Sequence, residues 1–230
     1  MTEAPLKVLH LDERLVAVDK PAGLLVHPSG LDAHAQHTAL KLLRDQLGQW
    51  LWPLHRLDKA TSGVLLFARD ADAAREWGLA FEQGRIGKRY LALVRGWPPE
   101  DGLIDQPLAK DPELPSQGQQ RLAAETRYRR LASFEWPFSV DARHAGSRYA
   151  LVEAEPLTGR RHQIRRHFKH IAHPLVGDTT HGKGAHNRAV AQWLGTSRLW
   201  LHCEWMELQT AAGPLRVTAP CGAEWNPLMR

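Results

Sequence analysis

The spacing of apolar residues divides the chain into many short strands and a few helices. Residues 7–11 and 15–18 are apolar, β-rich stretches separated by Asp12, Glu13 and Arg14, a pattern that predicts a hairpin. Lys20-Pro21-Ala22-Gly23 reads as a turn, and residues 24–27 as another short strand. Thr38 is placed to cap a helix in which Leu40, Leu43 and Leu47 recur at spacings of three and four. The unbroken apolar run 64–68 predicts a buried strand, and the Ala-rich stretch 70–81 a second helix with Gly84 just past its end. Further strands are expected at 88–94, 125–134, 148–157, 199–208 and 215–218. Thr158-Gly159 opens a strongly basic helix running to about His170. Residues 98–120, rich in Pro, Gly, Gln and Asp, predict a mobile insertion, and the Gly/His/Asn-rich stretch 177–188 predicts a loop. Strands come in runs instead of alternating with helices. The expected class is therefore α+β, a mixed, mostly antiparallel β-sheet with flanking helices.

With 230 residues the chain can build one sizeable domain, or two small lobes sharing a cleft. Hydrophobic residues at 43% and charged residues at 24% leave little room for a long disordered tail. A net charge of +5 suits a polyanionic partner without requiring one. The two cysteines, Cys203 and Cys221, are too few and too far apart for a zinc ribbon or a redox pair, and fit reduced thiols in a cytosol. The N-terminus carries no basic stretch followed by an apolar one, and the run 64–68 falls far short of a membrane span. A cytoplasmic protein without membrane association is expected.

The segment richest in chemistry is His55-Arg56-Leu57-Asp58-Lys59-Ala60-Thr61-Ser62-Gly63, just ahead of the apolar run. It sets one carboxylate among Arg56, Lys59, His55 and two hydroxyls, and cationic neighbours favour its ionised form. An ionised Asp is a poor general base but a usable nucleophile or electrostatic stabiliser. Glycosidic chemistry needs such a group, because positive charge develops at the anomeric carbon. Taken alone, the same loop also fits an Asp held in a structural ion pair.

The segment resembles the HRLDxxTSG motif of pseudouridine synthases of the RluA type. The resemblance extends to residues 20–28 (KPAGLLVHP), 88–96 (KRYLALVRG), 158–167 (TGRRHQIRRH) and 173–178 (HPLVGD), in the order found in that family. It implies the pseudouridine synthase fold with a central active-site cleft, and an enzyme that isomerises a uridine of RNA to pseudouridine. By this resemblance Asp58 is the essential aspartate, Tyr90 the active-site tyrosine that packs against the base and takes the C5 proton, and Arg165 the basic residue that pairs with the aspartate. Arg56 matches an arginine that fills the space left by the flipped nucleotide. The reaction is an isomerisation, so no cofactor, metal or cosubstrate is expected. Without the resemblance, Tyr90 also fits a core position on a strand. Arg165, together with Arg160, Arg161, Arg166 and Lys169, also fits a solvated or phosphate-contacting helix face.

Competing motifs are weaker. Residues 177–183 resemble a phosphate loop, but Gly184 stands where Ser or Thr is required. The kinase-like order around Asp58 is wrong and lacks its companion motifs. His162, His167, His170 and His173 do not have metal-ligand spacing, and an RNA-facing or capping role is expected for them. A noncatalytic RNA-binding protein on the same fold is the rival of a different class, although Asp58, Tyr90 and Arg165 are all intact. The chain begins directly on the catalytic strands, so 1–230 is expected to be a single catalytic domain with no separate N-terminal RNA-binding domain. RNA would then be gripped by Arg56, Arg160, Arg161, Arg166 and Lys169. The runs 94–97, 165–168 and 177–182 resemble family members that modify the tRNA uridine conventionally numbered 65. A ribosomal RNA uridine is the alternative, and a monomer is expected.

Overall fold

The computed structural model describes residues 4–28, 37–115, 117–140 and 144–229. In chain order the elements are β1 (Lys7–Leu11), β2 (Leu15–Lys20), α1 (Ala39–Leu47), β3 (Trp52–Pro53), β4 (Ser62–Ala68), α2 (Ala71–Glu82) and β5 (Gly87–Arg95). They continue with β6 (Asp101–Asp105), β7 (Leu108–Ala109), β8 (Arg121–Leu122), β9 (Glu125–Trp136), β10 (Ser147–Pro156), α3 (Gln163–His170), α4 (Gly184–Leu194), β11 (Leu201–Thr210) and β12 (Gly213–Thr218). A 3-10 turn, Ala223–Leu228, closes the chain. Two units are present: Met1–Lys88 with Cys203–Pro220, and Arg89–His202 with Cys221–Arg230.

In the first unit β2 lies between β1 and β4, antiparallel to both. The short β3 adds to β4, and β12 folds back along β11. Leu15, Val16, Ala17, Val18 and all of Val64, Leu65, Leu66, Phe67 and Ala68 are completely buried. Their unbroken apolar runs, without alternation, are what strands covered on both faces require. The helices start where the sequence places their caps. The Thr38 side chain accepts from Lys41 N–H, and Asp70 Oδ1 accepts from Ala73 N–H at 2.7 Å. Gly48, in the left-handed conformation, ends α1. Gly63 has φ 111°, and a Cβ there would lie 2.1 Å from the Cys203 carbonyl oxygen, so only glycine permits this close approach of β4 to β11.

In the second unit the strand order is β5-β10-β9-β6, again antiparallel. One face carries Leu91, Leu93, Tyr149 and Leu151, which pack with Val176, Val190, Trp200, Trp225 and Leu228. The other face is covered by α3, whose Phe168 ring meets Tyr128 of β9 at 5.4 Å.

Four expectations change. Residues 24–27 form only an isolated bridge, Leu25 to Thr38, because the Leu24 carbonyl accepts from Lys20 Nζ and the Leu25 and Val26 carbonyls accept from the Ala39 and Leu40 N–H groups at the start of α1. The insertion 98–120 carries two strands among its described residues: β6 is the edge strand on β9, and β7 pairs with β8 just beyond it. The basic helix begins at Gln163, because Thr158 and the Arg160 N–H are tied to the Gln163 side chain in a turn. The predicted loop 177–188 gives way at Gly184 to α4.

Candidate active site

The Asp58 loop connects β3 to β4 in the first unit, and its backbone is held from several sides. Leu57, Thr61 and Ser62 are buried, while Asp58 is half-buried between the exposed Arg56 and Lys59. Thr61 N–H donates to the Asp58 carbonyl at 3.0 Å, closing a tight backbone turn that starts at Asp58. The Lys59 carbonyl accepts from Gly23 N–H at 2.8 Å and from Lys20 Nζ at 3.2 Å. Lys20 is fully buried, and its Nζ also donates to the Pro21 and Leu24 carbonyls at 2.9 and 2.7 Å. An ammonium has three donors, and three carbonyls receive them. The Lys-Pro-Ala-Gly turn is thus tied to the carboxylate loop.

His55 does not act as a cation beside Asp58. Its Nε2 accepts from Leu66 N–H at 3.1 Å, and its ring stacks on Phe81 with centroids 5.0 Å apart. Burial first, and then the nearby Lys88 charge, push its pKa down to about 3. His55 therefore drops out of the cations expected around Asp58 and is an anchor of the loop.

Tyr90 lies on the α3 side of the second unit. The strand registers place Tyr90, Ala154, Tyr128 and Gly102 side by side across β5, β10, β9 and β6. A Cβ at Gly102 would come within 2.9 Å of the Tyr128 ring, so the row is tightly filled at its outer end. Tyr90 is 9% exposed.

Buried polar side chains clamp α3 onto this face. Gln163 accepts from Thr158 Oγ1 and Arg160 N–H, and its amide donates to the Glu125 carbonyl and Thr126 Oγ1 at 2.8 and 3.0 Å. His167 is completely buried between Thr126 Oγ1 and the Gln106 carbonyl, at 2.9 and 3.0 Å, and burial lowers its pKa. His173 Nδ1 lies 2.8 Å from the Arg95 carbonyl. His167 is thus a scaffold residue, whereas a role facing RNA or capping had been expected. Clamped in this way, α3 presents Arg165, which is 7% exposed, to a bidentate contact with Asp178 at 2.7 and 2.8 Å.

His162 precedes the helix with a left-handed φ of 55°, unusual for a residue with a side chain. Its Nδ1 is 3.2 Å from His181 Nε2. Burial, the main cause, together with the Arg165 charge brings His181 down to about 4, against the opposing pull of Asp178. Asp178 moves the other way from its environment: burial would raise it, but the Arg165 guanidinium and the His181 and Thr180 N–H groups hold it below the ordinary carboxylate range.

The five basic residues expected to meet RNA are differently placed. Arg56, Arg160 and Lys169 are exposed, although Arg160 Nε donates to the Ala123 carbonyl at 2.9 Å. Arg161 bonds Glu113 and lies 3.7 Å from Asp111, both in the insertion. Arg166 Nη1 donates to the Ala109 carbonyl at 2.9 Å. Two of the five thus brace the insertion against the start of α3. Arg161 also lines an open pocket with Lys110, Asp111, Gln119 and Gln120. Sequence reasoning passed over Lys20 and Asp178, although both lie in segments that it singled out. A lone buried charge leaves no periodic trace. Among the described residues no cluster of three or more His, Cys, Asp or Glu could hold a metal, and no helix is long and apolar enough to cross a membrane.

The fold recurs in known structures. Human RNA Pseudouridylate Synthase Domain Containing 1 superposes with a TM-score of 0.73 at 26% identity, covering 94% of this chain and 83% of that one. Human RNA Pseudouridylate Synthase Domain Containing 4 gives the same TM-score at 25% identity, covering 97% and 93%. This fold, shared over nearly the whole chain with two proteins of that name, is that of the pseudouridine synthase class of RNA-modifying isomerases. Residues 14–170 match the model of the family described as RNA pseudouridylate synthase, and the chain belongs to that family. Among its relatives, the tRNA pseudouridine synthase C of Vibrio cholerae is 42% identical over 231 residues, covering 97% of this chain and 94% of the relative. That of Haemophilus ducreyi is 46% identical over 201 residues, covering 86% and 82%.

Proposed function

We propose that this protein converts one uridine of tRNA, the one conventionally numbered 65, to pseudouridine, with Asp58 as the essential carboxylate. The observation that carries this reading is the Asp58 loop itself, a complete HRLDxxTSG segment whose backbone is fastened through Thr61, Gly23 and Lys20. A likeness over nearly the whole chain to proteins named tRNA pseudouridine synthase C supports the choice of RNA.

The target base leaves its stack and enters the site. The C1′–N1 bond breaks as Asp58 attacks or stabilises the ribose carbon, and the freed uracil turns. A C1′–C5 bond then forms as C1′ is released from Asp58, the C5 proton is taken through Tyr90, and N1, which kept the electron pair of the broken bond, takes up one proton. Atoms and electrons balance within the nucleotide, so the reaction needs no cofactor. Tyr90 supplies a face for the base, as aromatic side chains commonly do for extruded nucleotides. Arg165 supports the charge of Asp58, and Arg56 occupies the space vacated by the base. Arg160, Arg161, Arg166 and Lys169 hold backbone phosphates. The matched segment 14–170 contains residues of both units, which supports reading the chain as one catalytic domain. We place this enzyme in the cytoplasm as a monomer.

The test is Asp58→Asn, which keeps the size of the side chain, assayed for pseudouridine on tRNA alongside mapping of total RNA from cells with and without the gene. Activity should vanish in the variant while tRNA binding and the circular dichroism spectrum persist. One tRNA site in the acceptor–T-stem region should be lost in the deletion. A lost ribosomal RNA site would overturn the substrate, and an active Asn variant would overturn the role of Asp58.

A further inference from the structure

Arg165 springs from α3, but its guanidinium is fixed from another segment. Its Nε donates to Asp178 Oδ2 at 2.7 Å and its Nη2 to Oδ1 at 2.8 Å. This edge-on pairing sets the plane of the guanidinium as well as its position. The Asp178 side chain has no solvent exposure, and its Oδ1 also accepts from Thr180 N–H at 2.9 Å and His181 N–H at 2.8 Å. The backbone around it is equally constrained. Asn187 accepts from Gly177 N–H and donates to the Asp178 carbonyl, both at 2.9 Å. Gly177 has φ 80°, and a Cβ there would lie 1.7 Å from the Arg198 carbonyl oxygen. At Gly182 a Cβ would lie 2.3 Å from the Asp178 carbonyl oxygen. The turn 177–182 therefore requires glycine at both ends and an asparagine behind it.

An ion pair that only attached a helix to a loop would not need its carboxylate oriented by two backbone donors and its flanks locked by two glycines. The exposed His10–Asp12 pair also has two backbone donors on its carboxylate, from Arg14 and Leu15 N–H, but it has neither the burial nor the bidentate partner of Asp178. We propose that Asp178 is a positioning residue for the reaction: it fixes the plane and reach of the Arg165 guanidinium. Asp178 itself touches no substrate. The inference rests on the proposed catalytic role of Arg165.

The experiment compares Asp178→Asn, Arg165→Lys and the double variant in single-turnover pseudouridine formation on tRNA. Tight binding of tRNA is measured in parallel, and the Arg165 Nε–H resonance is followed by NMR in the free protein. Asp178→Asn keeps an oxygen for the two backbone donors but loses the bidentate acceptor. Its rate constant should fall on the order of 10²-fold, as for small misplacements of a reacting group, with tRNA affinity little changed and the Nε–H signal broadened or lost. Arg165→Lys keeps the charge without the planar fork and should fall similarly, and the double variant should be hardly worse than either single one. If Asp178→Asn does not fold, Arg165→Lys alone decides, because wild-type turnover in it would show that no oriented fork is needed. Single-variant losses that multiply in the double variant, or an unchanged Nε–H signal in Asp178→Asn, would overturn the positioning role. A wild-type protein that modifies no RNA would overturn the proposed function, and the NMR arm would then decide the Asp178–Arg165 linkage by itself.

Discussion

Acid should weaken this protein through histidines that fold in the neutral form, and His55 allows the size of the effect to be worked out. Its folded pKa of about 3 stands well below the ordinary 6.5. Below pH 6.5 the unfolded chain takes up a proton that the folded chain refuses, because Nε2 is already accepting from Leu66 N–H. Stability from this site is therefore fully present above about pH 6.5 and declines as the pH falls towards 3. Between pH 7 and pH 5 the loss is about 2 kcal/mol. The figure hardly depends on the folded value, since at pH 5 any folded pKa below about 4 leaves the ring neutral. The assay is urea unfolding at pH 7 and pH 5, on the wild type and on His55→Gln. Glutamine keeps an oxygen able to accept from Leu66 N–H but does not titrate. The variant should be less stable than the wild type at pH 7, yet lose about 2 kcal/mol less on going to pH 5. Equal losses in the two proteins would refute the reasoning, since every other titrating group is common to both. His181, at about 4, and the buried His167 act in the same direction and remain in the variant.

Gly63→Ala should cost about 3 kcal/mol or more, combining a φ of 111° with a Cβ driven into the Cys203 carbonyl. A urea midpoint equal to that of the wild type would contradict this. Replacing the exposed Arg56 or Lys169 by alanine should weaken tRNA binding and reduce the slope of log K against log salt by about 1 each, without altering the fold. An unchanged slope removes that residue from the interface. Arg166→Ala should in addition free the Ala109 carbonyl, making the segment 108–122 more sensitive to limited proteolysis than in Lys169→Ala.

Elements whose burial follows a simple pattern were legible in the sequence. β2 and β4 are unbroken apolar runs because both faces are covered, and α1 and α2 begin at Thr38 and Asp70, whose side chains cap them. β6 was hidden because it is an edge strand in which only Ile104 is buried, so a stretch of Asp, Gly and Leu carried no strand signal. α4 was hidden for a similar reason: it buries only Val190 and starts at Gly184 with no side-chain cap. At the site, Asp58, Tyr90 and Arg165 stand out because they lie within recognisable motifs. The contact of Arg165 with Asp178 does not, since it joins two charges 13 residues apart across a helix end and a turn.

Motif membership alone therefore does not tell which polar residues do chemistry. Within the TGRRHQIRRH segment, Gln163 and His167 are spent on holding α3 to β9, and Arg161 and Arg166 also hold the insertion. Within the HRLDxxTSG segment, His55 holds β4 and Gly63 admits β11. These scaffold roles follow from burial: a polar group without water must be satisfied by the protein, and each bond it makes fixes the backbone beside it. Three readouts separate the groups. Loss of a buried scaffold residue should appear first in stability, loss of an exposed cation in salt-dependent binding, and loss of the half-buried Asp58 in the rate with both other quantities largely kept. Asp178 is the informative exception, because it is buried like a scaffold residue and should nevertheless register in the rate.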